Sequence, residues 1–290
     1  MSTVLPKVLE WYDVNGVELA THGYMLSSVE RGIPAKKGDN VGSAIIHGQQ
    51  WREKRLDTRN ETWTIWISDN EPVTGSVAAT ESGRRSQFNE NYDTVFNLLN
   101  EMPELLTVTH VRINPENPSN YSSRVGYGEV VSAITVSDHR DLNVTEFTVD
   151  VQFPDPRWFA LGSTSASANF SSSPVPVPML AGAVGTAPVT YMTITFTSTG
   201  DLTNPRLVNE TYASSQTAIG YNGTIPTGQA VVIDTDALTL QKQGINDIAN
   251  LYRAGSRQSW FEIFPLDNTI SCSRTSGTGT VIISYRKAFY

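Results

Sequence analysis

GDNVGSAIIHGQQWREKRLDTRNETWTIWISD, residues 38–69, is the stretch on which the fold turns. It holds three of the six tryptophans, Trp51, Trp63 and Trp66, and the bases Arg52, Lys54, Arg55 and Arg59, with Lys37 just outside. Across residues 62–68, Trp63, Ile65 and Ile67 alternate with Thr62, Thr64, Trp66 and Ser68, the two-residue period of a strand. Each face carries an aromatic. Such a strand is covered on both sides, or covered on one and docked to a partner on the other. Arginine stacks on aromatics and forks onto carboxylates, and Trp and Arg are enriched in interface hot spots. The basic cluster therefore has two readings. One is a solvated hairpin tip in which Glu53 and Asp57 pair locally. The other is a protomer contact built from Trp51, Arg52, Arg55, Arg59 and Trp66.

Toward the N-terminus, Asn15-Gly16 between valines is a two-residue hairpin signal, because both turn positions need positive φ. Residues 24–30 read as a strand, and 31–42, with Pro34, Gly38 and Gly42, as a loop. Downstream, Phe88, Tyr92, Val95, Phe96, Leu99 and Met102 recur at spacings of three and four and predict an amphipathic helix. Ser86 is its candidate cap and Pro103 its stop. Residues 105–113 predict a strand. Residues 114–128 read as a polar loop in which Gly126-Tyr127-Gly128 is a turn. Residues 129–137 and 143–153 predict a hairpin, with Phe147, Val149, Val151 and Phe153 on one face.

Pro154-Asp155-Pro156 closes this region. The low-charge run GSTSASANFSSS (162–173) and the PVPVP that follows mark the domain boundary. The expected organisation is a first domain over 1–160, a Ser/Pro-rich linker over 161–178 and a second domain over 179–290. In the second, short strand candidates at 189–197, 206–211, 230–234, 238–241, 258–264, 269–274 and 280–285 alternate with turns, the pattern of a β-sandwich. The sole helical candidate there is 245–252.

Hydrophobic residues make up 39% and charged residues 17% of the 290, with a net charge of −8. This acidic balance argues against tight nucleic-acid binding, which draws its affinity from bases on phosphates. A single cysteine, Cys272, excludes an internal disulfide framework and a cysteine-built zinc site. The first sixteen residues carry no basic segment followed by an apolar run, so no signal peptide is expected. No stretch reaches the ~18–20 apolar residues of a membrane span. A soluble chain made in the host cytoplasm, without membrane insertion of its own, is the expectation. His22, His47, His110 and His139 are scattered, and no nucleophile elbow, phosphate loop or zinc-protease motif occurs. No catalytic residue, metal site or cofactor is expected. Cys272 reads as a small buried hydrophobe.

Three elements then follow in order: GTIPTGQAVVID (223–234), SWFEIFPLDNTI (259–270) and the closing TVIISYRKAFY (280–290). With the Asn15-Gly16 hairpin and the run from VERG through KGDNV and HGQ to IWI, this order resembles the distal tail proteins of siphophages. These are also called minor tail or siphovirus tail component proteins, and the N-terminal half is similar to the version found in phages of actinobacteria. The resemblance covers nearly the whole chain. It implies a mainly β protein: an N-terminal split-barrel, tail-tube-like domain with one helix on its sheet, and a C-terminal galectin-like β-sandwich. It also implies a structural, non-enzymatic role in the virion, as a hexameric ring at the tail tip. The implied partners are further copies of the chain, the tail tube protein, the tip hub or baseplate, and other minor tail proteins, with DNA only passing through the lumen. The galectin likeness carries an alternative, a tail-tip protein that binds a receptor or cell-wall glycan through the sandwich, with Asn204-Pro205-Arg206 and Trp260 as its residues. Leu202 stands where the sugar motif has His, so Asn204-Pro205 is read as a turn and Trp260 as core.

Overall fold

Asn15 and Gly16, at φ 50° and 83°, turn strand β1 (Glu10–Val14) into β2 (Val17–Glu18), as the dipeptide predicts. The computed structural model describes residues 10–32, 36–37, 41–42, 49–50, 55–100, 105–114, 117–139, 143–170, 174–178, 185–211, 217–255, 260–265 and 268–290. The chain divides into two units, Met1–Trp158 and Phe159–Tyr290. None of the described helices is long and apolar enough to cross a membrane.

In the first unit β1 and β2 are followed by β3 (Tyr24–Arg31), the two-residue strands β4 (Lys36–Lys37), β5 (Val41–Gly42), β6 (Gln49–Gln50) and β7 (Arg55–Leu56), and then β8 (Arg59–Ile67). Helix α1 (Glu81–Asn100), β9 (Leu106–Asn114), β10 (Asn117–Val130), β11 (Thr135–His139) and β12 (Val144–Phe153) complete it. The hydrogen-bonded path runs β3–β8–β12–β10–β9–β1. Leu19 returns it to the start, donating to Tyr12 O at 2.8 Å and accepting from Leu26 N at 3.0 Å. The result is a small barrel filled by side chains. Trp63, Ile65, Ile67, Phe147, Val149, Val151 and Phe153 are all buried within it, so the alternation seen in the sequence sorts these strands as expected.

The helix begins earlier than its apolar repeat. Thr80 Oγ1 accepts from Gly83 N at 3.1 Å, so Thr80 caps it and Ser86 lies inside it. The first turn contains Gly83, Arg84 and Arg85, which carry no hydrophobic period. Asn91, buried on the helix, donates to Ser68 O and Asn70 O at 2.8 Å each and so ties the helix to the end of β8.

Residues 117–128, expected within a polar loop, instead belong to the 14-residue strand β10. Its glycines make room rather than turns. A Cβ on Gly126 would stand 3.1 Å from the Trp158 ring, and one on Gly128 would stand 2.9 Å from Val151 Cγ1.

The second unit opens with β13 (Trp158–Asn169), β14 (Val175–Val177), β15 (Met192–Thr203), β16 (Arg206–Asn209), β17 (Thr217–Tyr221) and β18 (Thr224–Ile225). It continues through β19 (Ala230–Asp234), β20 (Thr239–Lys242), β21 (Ile245–Asn246), β22 (Leu251–Gly255), β23 (Ile270–Ser273) and β24 (Ser276–Phe289). One sheet is organised around β15, which pairs with β18, β19 and β24. The other has the order β14-β23-β16-β17-β22. Phe196, Leu207, Ile219, Ile233, Ile270 and Ile283, drawn from both sheets, are buried.

Three expectations change here. The Ser-rich stretch expected to open a linker is strand β13, where half-buried Thr164, Ala166 and Ala168 alternate with exposed Ser165, Ser167 and Asn169. Side chains this small alternate without leaving a hydrophobic signal. Residues 245–252 form β21, a 3-10 turn (Ile248–Asn250) and the start of β22, not a helix. In the span expected as a strand over 258–264, the described residues form only a bridge, Ile263 to Val189.

Candidate functional site

The polar side chains of the first unit converge at the Arg59 end of β8. Residues 59, 61, 63, 65 and 67 share one face, so the packing that buries Trp63 also buries Arg59 and Glu61. Glu61 Oε2 accepts from Tyr12 Oη at 3.1 Å and from Trp63 Nε1 at 3.0 Å. Arg59 Nε lies 3.2 Å from Glu61 Oε1. Its guanidinium is held between two rings, 4.1 Å from the Phe153 centroid and 4.2 Å from that of Trp158. Arg31 Nε donates to Tyr12 Oη at 3.2 Å and its Nη2 pairs with Glu10. Glu10 also meets His110 Nε2 at 2.6 Å and Arg112 Nε at 3.5 Å.

Burial governs protonation in this cluster. It pushes His110 down to about 4, more than the Glu10 carboxylate raises it. At neutral pH the imidazole is therefore uncharged, and its Nε2–H donates to Glu10. Burial opposes ionisation of Glu10, yet Arg31, His110 and Arg112 together outweigh it and hold the carboxyl below its usual range. Tyr12 is driven upward by burial and then by Glu61. These groups neutralise one another and fix the register of β1, β3, β8 and β9. The geometry is that of an internal tie between strands.

The residues singled out in the sequence do not gather into one surface. Trp51 and Arg52 lie outside the described residues. Arg55 pairs with Lys37 in the two-stranded continuation of the β3–β8 hairpin. Arg59 is 5% exposed; it lies in the core of this chain because it shares a face with Trp63. Trp66 points the other way, 43% exposed beside Met25 at 37%. Glu10, Tyr12, Arg31, Glu61 and His110 were not singled out as a group, although the period of β8 already places Glu61 beside Trp63.

In the second unit, Asn204 has φ 50°. Its Oδ1 accepts from Gly223 N at 2.8 Å, and its Nδ2 donates to Thr275 Oγ1 at 3.2 Å. Its amide thus serves a turn. Arg206 lies 3.2 Å above the Tyr252 ring and donates to Asn222 Oδ1 at 3.0 Å. Trp260, expected in the core, is half-buried, while Phe261 and Ile263 next to it are buried. Cys272 is buried, and that burial pushes its thiol up to about 11. Among the described residues, no group of three or more His, Cys, Asp or Glu side chains could hold a metal ion.

The described residues form two β-rich units with one α-helix among them, a mainly β protein. No protein-family model matches the chain, and no curated protein matches it in sequence. Among solved structures it shares the fold of the Dit protein of phage SPP1, gp 19.1, described as a paradigm of the hub adsorption apparatus in phages infecting Gram-positive bacteria. That match covers 96% of this chain and 98% of the other, at 14% identity and a TM-score of 0.58. A chain of the phage P2 baseplate in its activated conformation with Ca aligns over 96% and 98% at 7% identity and a TM-score of 0.42. The corresponding baseplate with Sr gives 94% and 97%, 8% and 0.39. The fold assignment rests on the SPP1 chain.

Proposed function

We propose that the chain is a structural distal tail protein of a siphophage. It assembles as a hexameric ring at the tail tip, joins the tail tube to the tip or baseplate hub, and leaves a lumen through which DNA passes. The observation that carries this reading is the fold likeness to SPP1 Dit over nearly the full length of both chains. The internal tie between Arg59, Glu61 and Tyr12 supports a scaffold role, since its charged groups are occupied with one another and buried away from any substrate. The type found in actinobacterial phages is the form we assign, on the ordered motifs of the N-terminal half. A lumen that passes DNA is expected to be poor in bases, because lysines and arginines would retain phosphates.

Cryo-electron microscopy of the virion tests this reading. The expected result is six copies around the axis at the far end of the tube. Density for the chain elsewhere in the particle, or a lumen lined by Arg52 and Arg55, would overturn it.

A further inference from the structure

Asn-Gly occurs twice in the chain, at Asn15-Gly16 and Asn222-Gly223. The first pair joins β1 to β2 and the second joins β17 to β18. These turns call for the dipeptide: Asn15 and Gly16 have φ of 50° and 83°, and Gly223 has 139°. The same dipeptide is chemically fragile, because glycine has no side chain to shield its nitrogen. That nitrogen bonds to the asparagine side-chain carbon, and the amide nitrogen leaves as ammonia, taking up the proton that the glycine N–H gives up. Solvent water then opens the cyclic imide to aspartate or, with the chain rerouted through the side chain, to isoaspartate. Both asparagines are exposed, so water reaches them.

Each pair is held at both reacting ends. In the first unit Gly16 N, the attacking atom, donates to Asp13 Oδ1 at 2.8 Å. The Asn15 side chain is tied across to β9, its Oδ1 accepting from Thr107 N at 2.8 Å, while its main-chain N donates to Thr107 O at 2.9 Å. In the second unit Gly223 N donates to Asn204 Oδ1 at 2.8 Å, and Gly223 O accepts from Asn204 N at 2.9 Å. A main-chain N–H can only donate, so the atom of Asn204 that faces it is the oxygen. Asn222 Oδ1 accepts from Arg206 Nη2 at 3.0 Å, and Asn222 N donates to Asn250 O at 2.7 Å. Arg206 is steadied in turn by the Tyr252 ring beneath its guanidinium. Unrelated folds thus surround the two turns with the same arrangement, one acceptor on the nucleophile and one donor on the amide it would attack.

We infer that Asp13 and Asn204 are positioning residues that lock Asn15 and Asn222 against deamidation, and that these two asparagines are the sites where the chain ages when the locks open. The inference stands apart from the reading of the chain as a tail protein. It gives the Asn204 side chain a task that a turn alone does not need.

The test is incubation of the purified full chain at mildly alkaline pH, with amide loss at each site followed by peptide mass spectrometry and isoaspartate-specific methyl transfer. Both sites are expected to stay intact in the folded chain while both are lost in urea. Asp13→Ala is expected to speed loss at Asn15 alone, and Asn204→Gly, which tolerates the positive φ, at Asn222 alone. Each increase should be about five- to tenfold, the factor set by one hydrogen bond of ordinary strength. Asp13→Asn and Asn204→Asp keep the accepting oxygen and are expected to hold the wild-type rate. Hydrogen exchange read on the same peptides should show the strands around each turn as closed as in wild type. Equal rates in the folded and urea-unfolded chain, or unchanged rates in Asp13→Ala and Asn204→Gly, would overturn the inference. So would variants with the oxygen that lose the amide as fast as those without it, or amide loss that comes only with opening of the surrounding strands.

Discussion

The Tyr12 hydroxyl donates to Glu61 Oε2 at 3.1 Å, linking β1 to a strand 49 residues further along the chain. The same oxygen accepts from Trp63, and the other oxygen faces Arg59. A buried pair is costly to split, because the surviving charge is left in the core without a counter-ion. Glu61→Gln is therefore expected to lower unfolding free energy in urea by about 3–5 kcal/mol. Replacing both partners, Arg59→Met with Glu61→Leu, should recover most of that loss. If the double variant is no more stable than the single one, the ion pair is not what holds these strands.

His110 makes stability depend on pH. Its folded value of about 4 lies below the ~6.5 of an unfolded histidine. The unfolded chain therefore takes up the proton first as pH drops. The contribution is complete above about 6.5 and is lost as pH falls toward 4, up to about 3 kcal/mol for a shift of this size. Thermal melts across that window should show a slope that His110→Gln flattens. An unchanged slope in the variant would place the titration elsewhere.

At Gly128 there is no room for a methyl group, with Val151 Cγ1 at 2.9 Å and Phe153 Cε1 at 3.1 Å from where it would sit. Gly128→Ala is expected to destabilise by about 1–3 kcal/mol through overpacking. Gly16→Ala is also unfavourable, but for a different reason. Nothing lies within 4 Å of its Cβ position, and its φ of +83° alone opposes the change. Denaturation of Gly128→Ala combined with Val151→Ala separates the two causes: relief in the double variant confirms crowding, and none refutes it.

Trp66 and Met25 form the largest exposed apolar pair on β3 and β8. If this face meets a neighbour, Trp66→Ser should leave the melting temperature of the isolated chain nearly unchanged, a cost of no more than about 1 kcal/mol. It should also weaken association by about 2 kcal/mol or more, the loss typical of a buried tryptophan anchor. Unaltered association in sedimentation would show that the face stays in solvent.

The strands with large alternating residues were legible from sequence. Phe147 to Phe153 and Trp63 to Ile67 announce both their period and their buried face. Strands built from small residues were not. Gly126 and Gly128 look like turn residues, yet they are small because aromatic rings cross them. Thr217–Tyr221 is buried throughout and shows no alternation, and its Gly220 is required because a Cβ would stand 2.2 Å from Pro205 O. The charged tie was half legible. Arg59 and Glu61 lie in phase with Trp63, but the rarity of buried charges favours placing them outside. Only the partners brought by β1, β3 and β9 make burial acceptable, and pairing across such sequence distances is not written in local pattern.

The first and last strands of the second unit, β13 and β24, are neighbours in one sheet, and Arg286 Nε reaches Ala160 O at 2.7 Å. The first and last strands of this unit therefore close on each other like a clasp. A unit whose first and last strands are stitched together in one sheet is expected to hold its fold when the rest of the chain is cut away.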